Sequence, residues 1–501
     1  MNKKNAIQLS LVIWIIVGLA ACLPAGPAPE TASPQTSPSS TAGVSPTSDS
    51  IIQAATPIDL LTPTGLPSET AVPGAVTPVV PLQPVPGIEL NAVDPAALNR
   101  VVQSGAYWIR RNSLKWSAVE PSEGERNWDA VAGLEAEFQA SSKRGLELVL
   151  IVSGAPTWAQ KSKGYPCGPV AAEKFSAFAQ FLYDAVKRYS AAPYNVKYWE
   201  LGNEPDVDPS FVQGDSPYGC WGDQEDVFYG GGYYAGMLQQ VYPQIKAADP
   251  DAQVLVGGLL MDCDPVNPPE GKDCTPSLFM EGILRSGGGD FFDGISFHAY
   301  DYYSGPFEFG NANWNSNWDT TGPALIAKAR YLRSLLAAYQ HPEKFLLNSE
   351  AGVICGRSDH DPVCQTDEFE LTKSYYLAQV NSAALVEGLR ANIWYSLTGW
   401  RGTGLVDASG APNKSFEALR FNAELLHDAA FIRTVTEISA VKGYEFLKGQ
   451  RRIQVLWSAD GEDHVTEFDP QPLAVFDVFG SSLKPAEELT ITSQPVYIEW
   501  E

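Results

Sequence analysis

Val196-Lys197-Tyr198-Trp199-Glu200-Leu201-Gly202-Asn203-Glu204-Pro205 is the stretch on which the reading of the chain turns. Val196, Tyr198, Trp199 and Leu201 are the residue types that fit a pleated strand, and Gly202, Asn203 and Pro205 are those that stop one. The stretch therefore predicts a strand that ends by presenting the carboxyl group of Glu204. Outward on both sides the same pattern recurs. Tyr107-Trp108-Ile109-Arg110 and Glu147-Leu148-Val149-Leu150-Ile151-Val152 precede it; Gln253-Val254-Leu255-Val256-Gly257, Gly294-Ile295-Ser296-Phe297-His298, Lys344-Phe345-Leu346-Leu347-Asn348 and Asn392-Ile393-Trp394-Tyr395 follow. Longer helical patterns, such as 171–189, separate these runs. Alternation of this kind predicts an α/β domain with a parallel sheet.

Closing such a sheet into a (β/α)8 barrel needs an eighth strand, and Gly87-Ile88-Glu89-Leu90 supplies it in first position. The strand ending at Glu204 is then the fourth and the one leading to Glu350 the seventh. The barrel is assigned to 85–428. Beyond it, short alternating segments such as Arg452-Ile453-Gln454-Val455-Leu456-Trp457 and Pro495-Val496-Tyr497-Ile498-Glu499-Trp500 predict a small antiparallel β domain over 429–501.

The N-terminal part has a different character. Lys3 and Lys4 precede the apolar run 11–21, too short to span a bilayer comfortably, and Leu19-Ala20-Ala21-Cys22 resembles a bacterial lipobox, which implies a signal peptide over 1–22 and a lipid on Cys22. Residues 23–84, rich in Pro, Thr, Ser, Ala and Gly, cannot bury enough surface to offset chain entropy and are expected to form a flexible tether. This address is extracytoplasmic, with the membrane contacted through Cys22. An ordinary signal peptide would give a secreted protein instead. Six further cysteines, Cys167, Cys220, Cys263, Cys274, Cys355 and Cys364, are an even number in an exported chain and point to disulfides. Neighbour pairing would join them in that order, although other connectivities are open. A zinc site is the rival reading, but no Cys-x-x-Cys pair occurs and the five His are scattered.

A formal charge of −25 disfavours nucleic acid, whose phosphates need clustered Lys and Arg. The 13 Trp suit the apolar faces of sugar rings, besides ordinary packing.

Two carboxylates at the mouth of a barrel match one chemistry in particular. Cleaving a glycosidic bond needs an acid for the leaving oxygen and a carboxylate for the positive charge that develops on the anomeric carbon. Trp199-Glu200-Leu201-Gly202-Asn203-Glu204-Pro205 resembles the fourth-strand motif of the glycoside hydrolase clan of (β/α)8 barrels often termed clan A, and Leu346-Leu347-Asn348-Ser349-Glu350-Ala351-Gly352 is similar to its seventh-strand segment. The resemblance implies that Glu204 is the acid/base, Glu350 the nucleophile, and that no cofactor or metal is required. Trp116-Ser117-Ala118-Val119-Glu120-Pro121 with Gly124 and Trp128-Asp129 resembles a segment of families 39, 5 and 42. Phe292-Asp293-Gly294-Ile295-Ser296-Phe297-His298-Ala299-Tyr300 resembles the sixth strand, and the C-terminal part a family-39-like β tail. The resemblance further implies substrate contacts from Asn203, His298 and Tyr300 and a sugar-stacking Trp394; Trp314, Trp318 and Trp400 are other stacking candidates, and Arg110 is counted among the substrate-binding residues.

The plainer alternatives are a helix-capping role for Glu204 and a buried pairing of Glu350 with Arg110. The 146 residues between Glu204 and Glu350 give about 49 per β/α step against about 31 in a minimal barrel, which requires long loops that the cysteine pairs would staple. The expected function is thus a retaining glycosidase acting on an oligo- or polysaccharide. A non-catalytic carbohydrate-binding surface lipoprotein, or one capturing solutes for a transporter, is the alternative.

Overall fold

The computed structural model describes residues 85–212, 216, 219–305, 314–318, 322–356, 361–485 and 488–501. All of them belong to the compact unit Gly74–Glu501. The signal peptide, the Cys22 lipobox and the tether lie outside the described residues.

Eight parallel strands close a barrel: β1 (Pro86–Glu89), β2 (Trp108–Lys115), β3 (Glu147–Ser153), β4 (Tyr198–Asn203), β5 (Gln253–Leu259), β6 (Gly294–Tyr303), β8 (Phe345–Ile354) and β9 (Asn392–Trp394). The ring closes through β1 beside β9 and β5 beside β6. Every expected strand is present, including the weakly marked first one. One addition was not foreseen: β7 (Trp314–Asn315) runs antiparallel to the end of β6. The fold is the expected (β/α)8 barrel with a C-terminal antiparallel β domain.

The apolar runs are continuous because a parallel strand is buried on both faces. In β3, Leu148, Leu150 and Val152 face the helices, while Val149 joins Trp108, Tyr198, Leu255, Leu347 and Ile393 in a cluster inside the barrel. Strand geometry has period two, so Arg110 stands on the same inward face as Trp108 and Glu200 on that of Tyr198, one layer nearer the C-terminal mouth. An apolar plug thus underlies a charged layer. Among the described residues no helix is long and apolar enough to cross a membrane.

The C-terminal strands are β10 (Ala430–Thr434), β11 (Val441–Lys448), β12 (Arg451–Ser458), β13 (His464–Glu467), β14 (Ala474–Phe476), β15 (Ser482–Leu483), β16 (Glu488–Ile491) and β17 (Val496–Trp500). Six form a sheet in the order β10-β11-β12-β17-β14-β15, and β13 pairs with β16. One apolar face, with Phe446, Ile453, Val455 and Tyr497, packs on Ala378, Ala418 and Leu425 of the barrel's last helices. The other face buries Leu456, Val475, Ile491 and Ile498.

Candidate active site

Glu204 follows the last residue of β4, and its backbone takes a left-handed conformation (φ 49°) uncommon for a residue with a side chain. Its N–H donates to the Gly258 carbonyl at 2.8 Å, tying it to β5. Glu350 lies within β8 rather than after it, opposite His298 of β6. Carboxyl oxygens of Glu204 and Glu350 and a ring nitrogen of His298 all come within 4.8 Å of one another. His298 Nδ1 is 2.9 Å from Glu204 Oε1 and 3.4 Å from Glu350 Oε2.

Arg110 organises the layer beneath. It is fully buried, and each of its N–H groups has a protein acceptor. Nε and Nη2 donate to Glu200 Oε1 at 3.2 and 2.6 Å, Nη1 donates to Glu89 Oε2 at 2.7 Å and to Glu350 Oε1, and Nη2 also donates to Asn203 Oδ1 at 2.5 Å. Arg110 was expected to contact substrate, yet all its N–H groups point at protein acceptors, three inward-facing acids and the amide oxygen of Asn203. The buried pairing of Glu350 with Arg110 is real, and it coexists with an exposed edge on Glu350 rather than replacing it. Nη2 of Arg110 also lies 3.3 Å from His298 Nε2. The positive guanidinium beside Nε2 disfavours a proton there and so favours the tautomer with its proton on Nδ1, facing Glu204.

The two acids differ in surroundings. Burial first, then the neighbouring charges of Glu350 and Asp206, pushes Glu204 well above the usual carboxylate range, against the opposing pull of Arg110 and Lys328. Burial also raises Glu350, but Arg110 and the hydroxyl of Tyr300, which donates to Oε2, favour its charged form. Burial drives His298 well below its ordinary value, so the ring is neutral. Glu89 is pushed up to about 8, chiefly by burial. The proton of the acid pair therefore belongs on Glu204 and the negative charge on Glu350.

Glu204, His298 and Glu350 could in principle offer three donor atoms to a cation. The fixed positive charge of Arg110, bonded to Glu350 and facing His298, works against one.

Of the other expected residues, Asn203 and Tyr300 join the cluster, each through one side-chain hydrogen bond to it. Trp394 is 1 % exposed and its indole N–H donates to the Thr403 carbonyl at 2.8 Å, so at most a sliver of its ring faces the mouth. Trp314 and Trp318 are buried as well, whereas Trp400 is 38 % exposed. Glu120, from the segment after the second strand, holds its own loop: it accepts from Trp116 Nε1, Gly124 N and Arg126 Nε.

The disulfides join Cys167 with Cys220, Cys263 with Cys274 and Cys355 with Cys364. They tie the segments that follow β3, β4, β5 and β8, all on the face that carries the two glutamates. Long loops and staples thus occur together, as the spacing required.

Residues not singled out from the sequence complete the site. Glu89 and Glu200 anchor Arg110, and Ser296 donates to Glu200 Oε2 at 2.7 Å. Gly258 makes room for the imidazole: a Cβ there would stand 2.3 Å from His298 Nε2. The available signal was a charged residue in the middle of a strand otherwise suited to complete burial, as at Glu200 and Glu89.

No family model matches the sequence, and no curated protein matches it. Solved structures do share the fold, and those named here are glycoside hydrolases. A family 39 glycoside hydrolase from the gut symbiont Bacteroides cellulosilyticus WH2 superposes with a TM-score of 0.61 at 20 % identity, over 83 % of this chain and 81 % of that one. A GH30 endoxylanase from Clostridium papyrosolvens C71 gives 0.53 at 12 % identity, over 84 % and 97 %. A family 51 alpha-L-arabinofuranosidase from Bifidobacterium longum gives 0.52 at 14 %, over 85 % and 98 %. At such identities the likeness establishes the architecture, a barrel with an appended β domain, and leaves the chemistry to the site itself.

Proposed function

We propose that this chain is a glycosidase that retains anomeric configuration, with Glu350 as nucleophile and Glu204 as acid/base. The observation that carries the reading is the approach of one carboxyl oxygen of each glutamate to within 4.8 Å of the other, with Glu350 bonded to Arg110 and Glu204 raised by burial toward its protonated form. A retaining pair needs about 5–5.5 Å, whereas an inverting pair needs about 6.5–9.5 Å to admit water. In the first step Glu350 attacks the anomeric carbon, the bond to the leaving oxygen breaks, and Glu204 gives that oxygen its proton. Esterification removes the charge on Glu350, which lowers the proton affinity of Glu204. Glu204 then takes a proton from water as the water's oxygen bonds to the anomeric carbon and Glu350 departs as carboxylate.

His298 donates from Nδ1 to Glu204 and orients it; Tyr300 and Arg110 steady Glu350; Asn203 and the exposed face of Trp400 are the candidate sugar contacts. The substrate is an oligo- or polysaccharide. The tether and a lipid on Cys22 would display the enzyme outside the cytoplasm, a placement that three disulfides favour.

The test is a panel of aryl glycosides and plant or microbial polysaccharides. Glu350→Ala should abolish turnover. Glu204→Ala should spare substrates with good leaving groups and be partly rescued by azide. Inverted product configuration would refute the assignment, and binding without turnover by the unaltered protein would favour the carbohydrate-binding alternative.

A further inference from the structure

A buried ammonium stands behind the acid pair. Lys328, in the helix Ala324–Ala338 that follows β6 and β7, is 4 % exposed, and its Nζ donates to two backbone carbonyls, Leu260 at 2.8 Å and His298 at 2.7 Å. The first carbonyl ends β5 and the second belongs to the residue that bonds Glu204. Burying a lone ammonium is costly, and an apolar side chain would fill the same space between helix and sheet at less cost.

The segment it grips is held from every side. Asp206, two residues after the acid, accepts from the N–H groups of Leu260 and Met261 at 2.9 and 2.8 Å. The indole of Trp318 donates to the Met261 carbonyl at 2.8 Å. Met261, like Glu204, has a left-handed backbone (φ 47°). Two strained residues on adjacent strand ends are thus fastened by Asp206 and Lys328, and such strain persists only where surrounding contacts over-determine it.

We propose that Lys328 is a positioning residue of the acid/base: with Asp206 it locks the segment after β5 to the middle of β6 so that His298 and Glu204 keep their hydrogen bond, and it supplies the positive charge behind Glu204. This rests on the glycosidase reading. The charged groups around Lys328 are Asp206 after β4, Asp262 after β5, Asp301 on β6 and Glu204 itself. Those around Glu204 are Glu350, Asp206, Arg110 and Lys328, beside the neutral His298. Burial lowers Lys328 to about 8, so its charge is in place at neutral pH and is lost in alkali.

Opposite charges at Lys328 and Asp206 give the test a sign. Protonated Glu204 sets the alkaline limb of kcat/KM. Lys328→Met removes a positive neighbour and should move that limb to higher pH, while Asp206→Asn removes a negative one and should move it lower, each by about one pH unit. Mispositioning adds a second signature: Lys328→Met should lose at least about tenfold in kcat/KM on aryl glycosides with poor leaving groups, yet less than about threefold on dinitrophenyl glycosides, which need little acid help. Asp206→Asn provides the charge test should Lys328→Met fail to fold. Limbs that stay put or move together, or equal losses across leaving groups, would overturn the inference. Absence of any turnover in the unaltered enzyme would instead refute the glycosidase reading on which it stands.

Discussion

Replacing Arg110 with Met asks the site what its guanidinium does. The methionine would fill a similar volume but leave Glu89, Glu200 and Glu350 facing one another with no cation, in a layer where Glu200 has no exposed surface and the other two very little. Breaking one buried ion pair from one side typically costs about 3–5 kcal/mol, and here three carboxylates lose the same partner, so a loss at or above that range is expected at pH 7.5. The deficit should depend on pH in a definite direction. Without Arg110, Glu89 and Glu350, already raised by burial, lose the cation that opposes the rise and move further above their unfolded values. Stability that depends on their protonated forms is complete below the unfolded range, near pH 4–5, and is lost as pH rises through the folded values.

Urea unfolding of the oxidised protein at pH 5 and pH 7.5, with and without the substitution, measures this directly. The difference should be clearly smaller at pH 5, and adding Glu200→Gln to Arg110→Met should recover part of it, because a neutral amide no longer needs the cation. Activity should fall at neutral pH, since Glu350 would take up a proton and lose its nucleophilicity. A destabilisation under about 1 kcal/mol at pH 7.5, or one that grows on acidification, would refute the picture of Arg110 as the shared counter-ion.

Three further outcomes are expected. Gly258→Ala puts a methyl 2.3 Å from His298 Nε2 and 3.0 Å from Ser349 Oγ, so it should cost about 1–3 kcal/mol and, by tilting the imidazole off Glu204, reduce turnover of substrates with poor leaving groups by about a hundredfold; wild-type kinetics would show that the ring has room. Cys263→Ser with Cys274→Ser opens a short loop on the catalytic face, and calorimetry should register a loss of up to about 3 kcal/mol, with an unchanged transition counting against the staple role. Cys22→Ser should abolish partitioning of the full-length protein into detergent, and persistence of that partitioning would remove the lipid anchor.

The architecture was legible in the sequence because parallel strands buried on both faces announce themselves as short apolar runs, and the turns that end them carry Gly, Asn and Pro. Even Gly87-Ile88-Glu89-Leu90, with only two strongly apolar residues, was found, because a barrel cannot close on seven strands. What escaped was β7: Trp314–Asn315 is too short to have a period, and its pairing depends on β6 running on to Tyr303, past the apolar part of that strand. The stacking role expected of Trp394 drew on its place after the eighth strand, whereas its exposure depends on the loop that brings the Thr403 carbonyl to its indole.

The chemistry was legible to a different depth. Glu204 stands at the end of its strand, and Glu350 and His298 lie where the apolar part of theirs gives out, so one-dimensional position is a fair proxy for the mouth of the barrel, and the structure brings them together. Arg110 was expected to face the substrate as well, whereas its N–H groups turn to protein acceptors, for a physical reason. Whether an inward-facing arginine reaches solvent is decided by what the other strands send inward at its level, and Glu89, Glu200 and Asn203 come from 21, 90 and 93 residues away. A charged residue in a strand suited to burial marks Glu89 and Glu200 as unusual, but nothing in either strand says which cation they meet. Only the stagger of a closed barrel sets them at one height, where three acidic side chains must share one positive charge. The charged form of Glu350 and the proton on Glu204 then follow from local contacts: Glu350 has both Arg110 and the Tyr300 hydroxyl to favour its charge, and Glu204, without a bond to the cation, takes the proton.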